Sequence, residues 1–280
     1  MKIIRSISVM ADEISRLKER GRTIGFVPTM GYLHEGHISL LRKARKENNI
    51  LVMSIFVNPI QFGPKEDLRR YPRDLRHDKE IAVREKVDII FYPGAKEMYP
   101  RGFTSYVDVE RLTKGLCGAR RPGHFRGVTT VVAKLFNIVR PDIAYFGQKD
   151  SQQAQVIRQM IKDLNMPIKI KVLPIVREKD GLAMSSRNKY LNERERKAGI
   201  VLFRSLREAG DMVKKGIRDA TAVKTKLIRA IAEERLARVD YIEIVDKESL
   251  EKIRYIKKGH TLIALAVYIG KIRLIDNMTI

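Results

Sequence analysis

Apolar runs of strand length alternate with amphipathic stretches through the first part of the chain. Residues 23–29 (TIGFVPT), 50–57 (ILVMSIFV), 87–93 (VDIIFYP), 142–147 (DIAYFG) and 168–176 (IKIKVLPIV) are such runs. In residues 50–57 the apolar side chains continue without polar alternation, the pattern of a strand covered on both faces. Residues 37–49 (HISLLRKARKENN) set Ile38, Leu40, Leu41 and Ala44 among basic residues, which predicts a helix with one apolar side. A strand, a loop, a helix and a buried strand in that order close as a parallel βαβ crossover. Residues 151–165 (SQQAQVIRQMIKDLN) supply another helix, and the repeated alternation predicts an α/β domain built on a doubly wound parallel sheet.

Beyond residue 176 the texture changes. A turn at Asp180-Gly181 leads into a polar loop, a long helical pattern over residues 193–215 and a second helix over residues 220–236. Residues 239–246 alternate as a strand, and residues 260–270 and 271–277 read as a hairpin about Gly270-Lys271. The expected division is therefore a larger domain over residues 1–175 and a smaller α+β domain over residues 176–280.

Composition narrows the setting. A chain of 280 residues buries a sizeable core without staples, and its one cysteine, Cys117, excludes an internal disulfide framework and any cysteine-rich zinc site. The longest apolar runs are strand-length, so no signal peptide or membrane span is expected, and the expected location is the cytoplasm. The formal charge of +23 would suit an anionic partner. The excess is spread along the whole chain, however, and interleaved with acidic residues, as a solvated basic surface requires. An RNA-binding module would call for basic and aromatic residues gathered together, whereas there is no tryptophan and aromatics are 7%. No nucleic-acid partner is expected.

The candidate chemistry begins just after the first of these runs, in PTMGYLHEGH, where ligand crevices of parallel sheets lie. His34 and His37, three apart at a helix start, share a face near free backbone amides that attract anions. Gly36 between them removes a side chain where a ligand needs to approach. The spacing by itself leaves a phosphate cradle and two structural histidines both open. A zinc site lacks a third ligand of suitable spacing, and the spacing is one residue short of H-E-x-x-H.

H-x-G-H after a strand resembles the signature of the nucleotidyltransferase superfamily. Four blocks go further: PTMGYLHEGHISLL, SIFVNPIQFGPKEDLRRYPRDL, LCGARRPGHFRGVTTVVAKLFNIVRPDIAYFGQKDSQQ and GLAMSSRNKYL resemble, in order and spacing, the pantoate-beta-alanine ligase family. The resemblance covers nearly the whole chain and is weakest after Leu191. It implies a Rossmann-like nucleotidyltransferase domain and an enzyme that joins pantoate to beta-alanine through a pantoyl adenylate, releasing pyrophosphate and then AMP. ATP is implied as a substrate, with Mg²⁺; no protein ligand for the metal follows, Asp150 being at most a candidate. A homodimer is also implied.

By the same resemblance His37, His34 and Lys149 are the catalytic groups, His37 as a proton donor. ATP is expected to meet Met30, Gly31, Tyr32, Leu33, Glu35 and Gly36 beside the two histidines, then Gly147, Gln148 and Asp150 beside Lys149. The second domain is expected to add Val176, Met184, Ser185, Ser186 and Arg187, in a loop similar to the superfamily's K-M-S-K-S and closing over the site. Gln61 and Gln153 are the expected pantoate contacts, with Gln61 also serving beta-alanine. Asn58 and Tyr71, in a segment that resembles a gate, and Arg121 and His124 are expected to border the pocket. A relative that stops after nucleotide transfer would have no use for Gln61 and Gln153 around a small hydroxy acid.

Overall fold

Strands with both faces covered require helices on two sides of a sheet, and the computed structural model, which describes residues 1–64 and 66–280, has that arrangement. The strands are β1 (Lys2–Ile4), β2 (Ile24–Thr29), β3 (Ile50–Ile55), β4 (Ile89–Phe91), β5 (Ile143–Gly147), β6 (Lys169–Leu173), β7 (Ala237–Asp246), β8 (Thr261–Ile269) and β9 (Ile272–Thr279). The helices are α1 (Ile7–Glu19), α2 (Glu35–Glu47), α3 (Leu75–Arg84), α4 (Ala95–Met98), α5 (Leu116–Arg120), α6 (His124–Val139), α7 (Ser151–Asp163), α8 (Glu193–Gly199), α9 (Val201–Lys214) and α10 (Ala220–Ala232). They gather into two compact units, one of Met1–Thr113 with Arg121–Pro174, the other of Lys114–Arg120 with Ile175–Ile280.

In the first unit six strands lie in the order β1-β4-β3-β2-β5-β6, every pair parallel. Alternate residues of β2 serve opposite faces: Val27 joins a core with Leu41 of α2, Met53 of β3 and Ile81 of α3, while Phe26 meets Phe136 of α6 edge-on at 6.5 Å. The predicted crossover is β2-α2-β3, in register from Ile24 opposite Ile50 to Thr29 opposite Ile55. The apolar pattern does not announce β1 or α1. β1 is a three-residue edge strand with only Ile4 buried, and α1 exposes Val9 while burying Met10 and Ile14.

The second unit is a three-stranded antiparallel meander, β7-β8-β9, packed by α9 and α10 around Leu206, Leu227, Ile263, Leu265 and Val267. Gly270, at φ +57°, makes the turn of the predicted hairpin. The long helix expected over residues 193–215 is two helices that meet at Ile200. Gly199 ends the first where a Cβ would stand 3.3 Å from Leu274, so helix and β9 approach closely there. α5 belongs to this unit because Leu116 packs with Val245, Leu262 and Ala264 while Arg120 pairs with Asp240. Among the described residues no helix is long and apolar enough to cross a membrane.

Candidate active site

From β2 the chain moves through β3 and β4 to one side of the sheet, and β5 and β6 fill the other. The order therefore reverses between β2 and β5, and a parallel sheet opens its ligand crevice at the carboxyl ends of such a pair. The two loops that leave those ends are residues 30–34 and Gly147 with the 3-10 turn Gln148–Asp150.

The first loop makes an unusual entry to α2. Gly31 and Tyr32 both have left-handed backbone, φ +82° and +52°, which is strained for a tyrosine. The buried carboxylate of Asp78 on α3 compensates by accepting the N–H of Tyr32 at 2.9 Å and of Leu33 at 2.8 Å. A Cβ on residue 31 would come within 2.8 Å of that carboxylate, so the clamp also needs the glycine. Asp78 follows His77 in the sequence with nothing to mark it as the anchor of a loop 46 residues earlier.

Both histidines then cap their own helix. His34 is the N-cap residue; its Nδ1 accepts the Gly36 N–H at 3.2 Å, and the Nδ1 of His37 accepts the His34 N–H at 3.3 Å. A backbone N–H only donates, so each Nδ1 is unprotonated and each ring carries its proton on Nε2. The rings lie 4.1 Å apart. Enclosure by protein, then repulsion by His34 whenever that ring is protonated and by Lys149, holds the His37 imidazole well below the ordinary histidine pKa. Lys149 is half-buried at the end of β5, 3.7 Å from the exposed Asp150, and open space flanks the Gly147 Cα. Glu35 points to solvent and pairs with Arg42 at 3.4 Å.

A second polar cluster stands on the 3-10 turn Pro59–Gln61 beyond β3. Asn58, fully buried, donates to Gln61 Oε1 and to the Gly127 carbonyl of α6, both at 3.0 Å, and Gln61 Nε2 lies 3.2 Å from Met30 Sδ. The Gln61 carbonyl accepts from His124 Nδ1 at 2.9 Å, and His124 Nε2 accepts from Arg121 at 3.0 Å. Arg121 is held by Glu66 at 2.7 Å through its Nε. Burial, then the Arg121 charge, lowers His124 to about 4, so the ring is neutral. Arg121 and His124 thus support Gln61, and Glu66 completes the chain. Tyr71 is buried edge-on to Phe62 at 5.9 Å. On α7 Gln153 is half-buried, whereas its neighbour Gln152 is buried and donates to the Leu112 carbonyl at 2.8 Å.

In the second unit Val176 and Met184 are joined by a backbone hydrogen bond at 3.0 Å, across a turn in which Gly181 has φ +95°. Arg177 grips the buried Asp276 with two bonds at 2.7 and 2.9 Å, and Asn188 donates to Glu178 and to the Ala183 carbonyl. Ser185 caps the following 3-10 turn by accepting the Arg187 N–H at 3.3 Å; Ser186 is buried there and Arg187 half-buried. The stretch 184–187 is therefore anchored at both ends.

Known proteins resemble the chain over its full length. A protein described as pantothenate synthetase from Caldicellulosiruptor bescii is 55% identical over 280 residues, covering 100% of this chain and 99% of its own. The crystal structure of pantothenate synthetase from Thermus thermophilus superposes with a TM-score of 0.94 at 43% identity, covering 99% of each chain. A pantoate-beta-alanine ligase from Francisella tularensis, solved in complex with beta-gamma ATP and beta-alanine, superposes with a TM-score of 0.81 at 36% identity over 100% of this chain and 97% of that one. A family profile described as Pantoate-beta-alanine ligase matches residues 2–279, and with identity of this level running unbroken through both units the chain belongs to the pantoate-beta-alanine ligase family.

Proposed function

We propose that this chain joins pantoate to beta-alanine with ATP, by way of a pantoyl adenylate. The observation that carries the reading is the pair of Nε2–H donors on His34 and His37 with the Lys149 ammonium nearby, at the sheet's switch point. A carboxylate is a poor electrophile because its charge is shared by two oxygens. In the first step one of those oxygens attacks the α-phosphorus of ATP, the bond to the bridging oxygen breaks, and pyrophosphate leaves with growing negative charge. Donors already aimed at that charge lower the barrier without reorganising. The proton-donor role proposed for His37 is thus a hydrogen bond from Nε2–H, since its surroundings disfavour an imidazolium. In the second step the amine of beta-alanine attacks the acyl carbon, an amide forms, the amine gives up a proton and AMP departs.

Gln61 and Gln153 are the proposed pantoate contacts, Gln61 also facing beta-alanine, and Met30 adds apolar surface. Asn58, Tyr71, Arg121 and His124 border this pocket, and Val176, Met184, Ser185, Ser186 and Arg187 are the proposed further contacts to ATP, a role that rests on the resemblance of their loop. Among the described residues no three His, Cys, Asp or Glu side chains are grouped as a metal cage. Magnesium carried on a triphosphate needs only one or two carboxylates besides phosphate and water, and the exposed Asp150 beside Lys149 suits that mode. Mg²⁺ then enters with ATP as part of the substrate. A homodimer completes the reading by family resemblance, and a cytoplasmic location is proposed from apolar runs that are only strand-length.

Pantoate-dependent exchange of pyrophosphate into ATP, with AMP and pantothenate formed only after beta-alanine is added, is the expected result, and His37→Ala should abolish the exchange. Exchange that ignores pantoate would assign the site to another carboxylate.

A further inference from the structure

The amides of Asn58 and Gln61 are fixed in direction by a contact that admits one reading. The Gly127 carbonyl only accepts, so the Asn58 atom 3.0 Å from it is Nδ2. The opposite atom, Oδ1, lies 2.7 Å from the Tyr99 hydroxyl, which must therefore donate. The other Nδ2 hydrogen points to Gln61 at 3.0 Å, so Gln61 presents Oε1 there and turns its Nε2 the other way, toward Met30 Sδ. Burial raises the Tyr99 pKa and keeps the phenol protonated, and the ring is wedged edge-on against Phe103 at 5.0 Å. Thioether sulfur is a weak acceptor, so the Gln61 amide group stands beside a poor partner that a substrate oxygen would replace with gain.

We infer that Tyr99 is a positioning residue for the acyl substrate: acting through Asn58, it holds the Gln61 carboxamide as a hydrogen-bond donor toward a carboxylate or hydroxyl oxygen. Tyr99 itself touches no reacting atom. The inference rests on the proposed contact between Gln61 and pantoate. It adds a direction to that contact and assigns the hold on that direction jointly to the Gly127 carbonyl and to Tyr99, a residue that the motif blocks leave out.

Pantoate-dependent pyrophosphate exchange tests it, with KM measured separately for pantoate and ATP. Tyr99→Phe removes one oxygen and should raise the pantoate KM about tenfold, the worth of one neutral hydrogen bond, while the ATP KM stays put. In a Gln61→Ala background the same change should have no further effect on the pantoate KM. An equal factor in both backgrounds would show that Tyr99 acts by general packing and overturn the inference. Gln61→Glu keeps the acceptor for Asn58 but loses the donors, so it should bind pantoate at least as poorly as Gln61→Ala; wild-type binding would overturn the donor direction. If Gln61→Ala leaves the pantoate KM unchanged while exchange still needs pantoate, the Gln61 contact and this inference fail and the ligase reading stands.

Discussion

His37 combines two demands that pull on the same ring. As the third residue of α2 it must leave Nδ1 bare to accept the His34 N–H, and the proposed role as a hydrogen-bond donor to phosphate requires a proton on Nε2. The neutral Nε2–H tautomer meets both, and burial with the neighbouring charges secures it. Nitrogen NMR of the free enzyme should find His37 Nδ1 unprotonated at neutral pH and still neutral when ordinary histidines have titrated; protonation near 6.5 would contradict the assignment. Asp78 invites a second substitution. Asp78→Asn puts an amide NH₂ against one of two backbone N–H donors, so roughly 2 kcal/mol of stability should go, by chemical denaturation, and the ATP KM should rise as Tyr32 loses its clamp. The histidines were legible as H-x-G-H; the carboxylate that holds their loop was not, since a contact across 46 residues leaves no local pattern.

Among the elements, α6 and the 3-10 turn after β3 are packed so closely that only glycine fits at residue 127. A Cβ there would stand 2.6 Å from Gln61 Cα and closer still to the Ile60 carbonyl, which are backbone atoms that have little room to yield. Gly127→Ala should therefore cost on the order of 1–3 kcal/mol and push Gln61 out of place, raising the pantoate KM more than the ATP KM. Equal changes in both constants, or none, would show that the turn adapts. Helix and strand types followed from apolar periodicity for α2, β3 and α7, but not for α1, which is as long as α2. Periodicity ran on through Gly199 and did not show where α8 gives way to α9 at Ile200, nor the close approach of Gly199 to Leu274, a tertiary contact.

Across the protein, stability against pH is shaped by groups whose pKa values folding shifts, His124, Glu47 and Asp78 among them. His124, lowered to about 4, stays neutral in the folded state while the unfolded chain takes up a proton near 6.5, so stability falls as pH drops between these values. Glu47, drawn down to about 2 by its bond to Lys171, adds a contribution that is complete above its ordinary pKa of 4.5 and lost as pH falls toward 2. Asp78, raised by burial, opposes both over its own range. Urea unfolding at a series of pH values should show this acid decline, and Glu47→Gln should flatten only its lowest part. The +23 charge predicts no specific RNA complex: any binding to a random RNA should vanish by moderate salt, and tight binding that resists salt would restore the rejected reading.

What local physics encodes was readable from the residues alone: strands from unbroken apolar runs, α2 from its amphipathic spacing, a turn at Gly270 from a residue tolerant of positive φ, and the candidate residues that the motif blocks name. Packing in three dimensions set the order β1-β4-β3-β2-β5-β6, and with it which two strand ends flank the crevice. It also set the Asp78 clamp, the histidine tautomers and the line from Tyr99 to Gln61. Each of these depends on the relative placement of groups, and on the direction of hydrogen bonds between them, and direction is a property of coordinates that neither composition nor spacing carries.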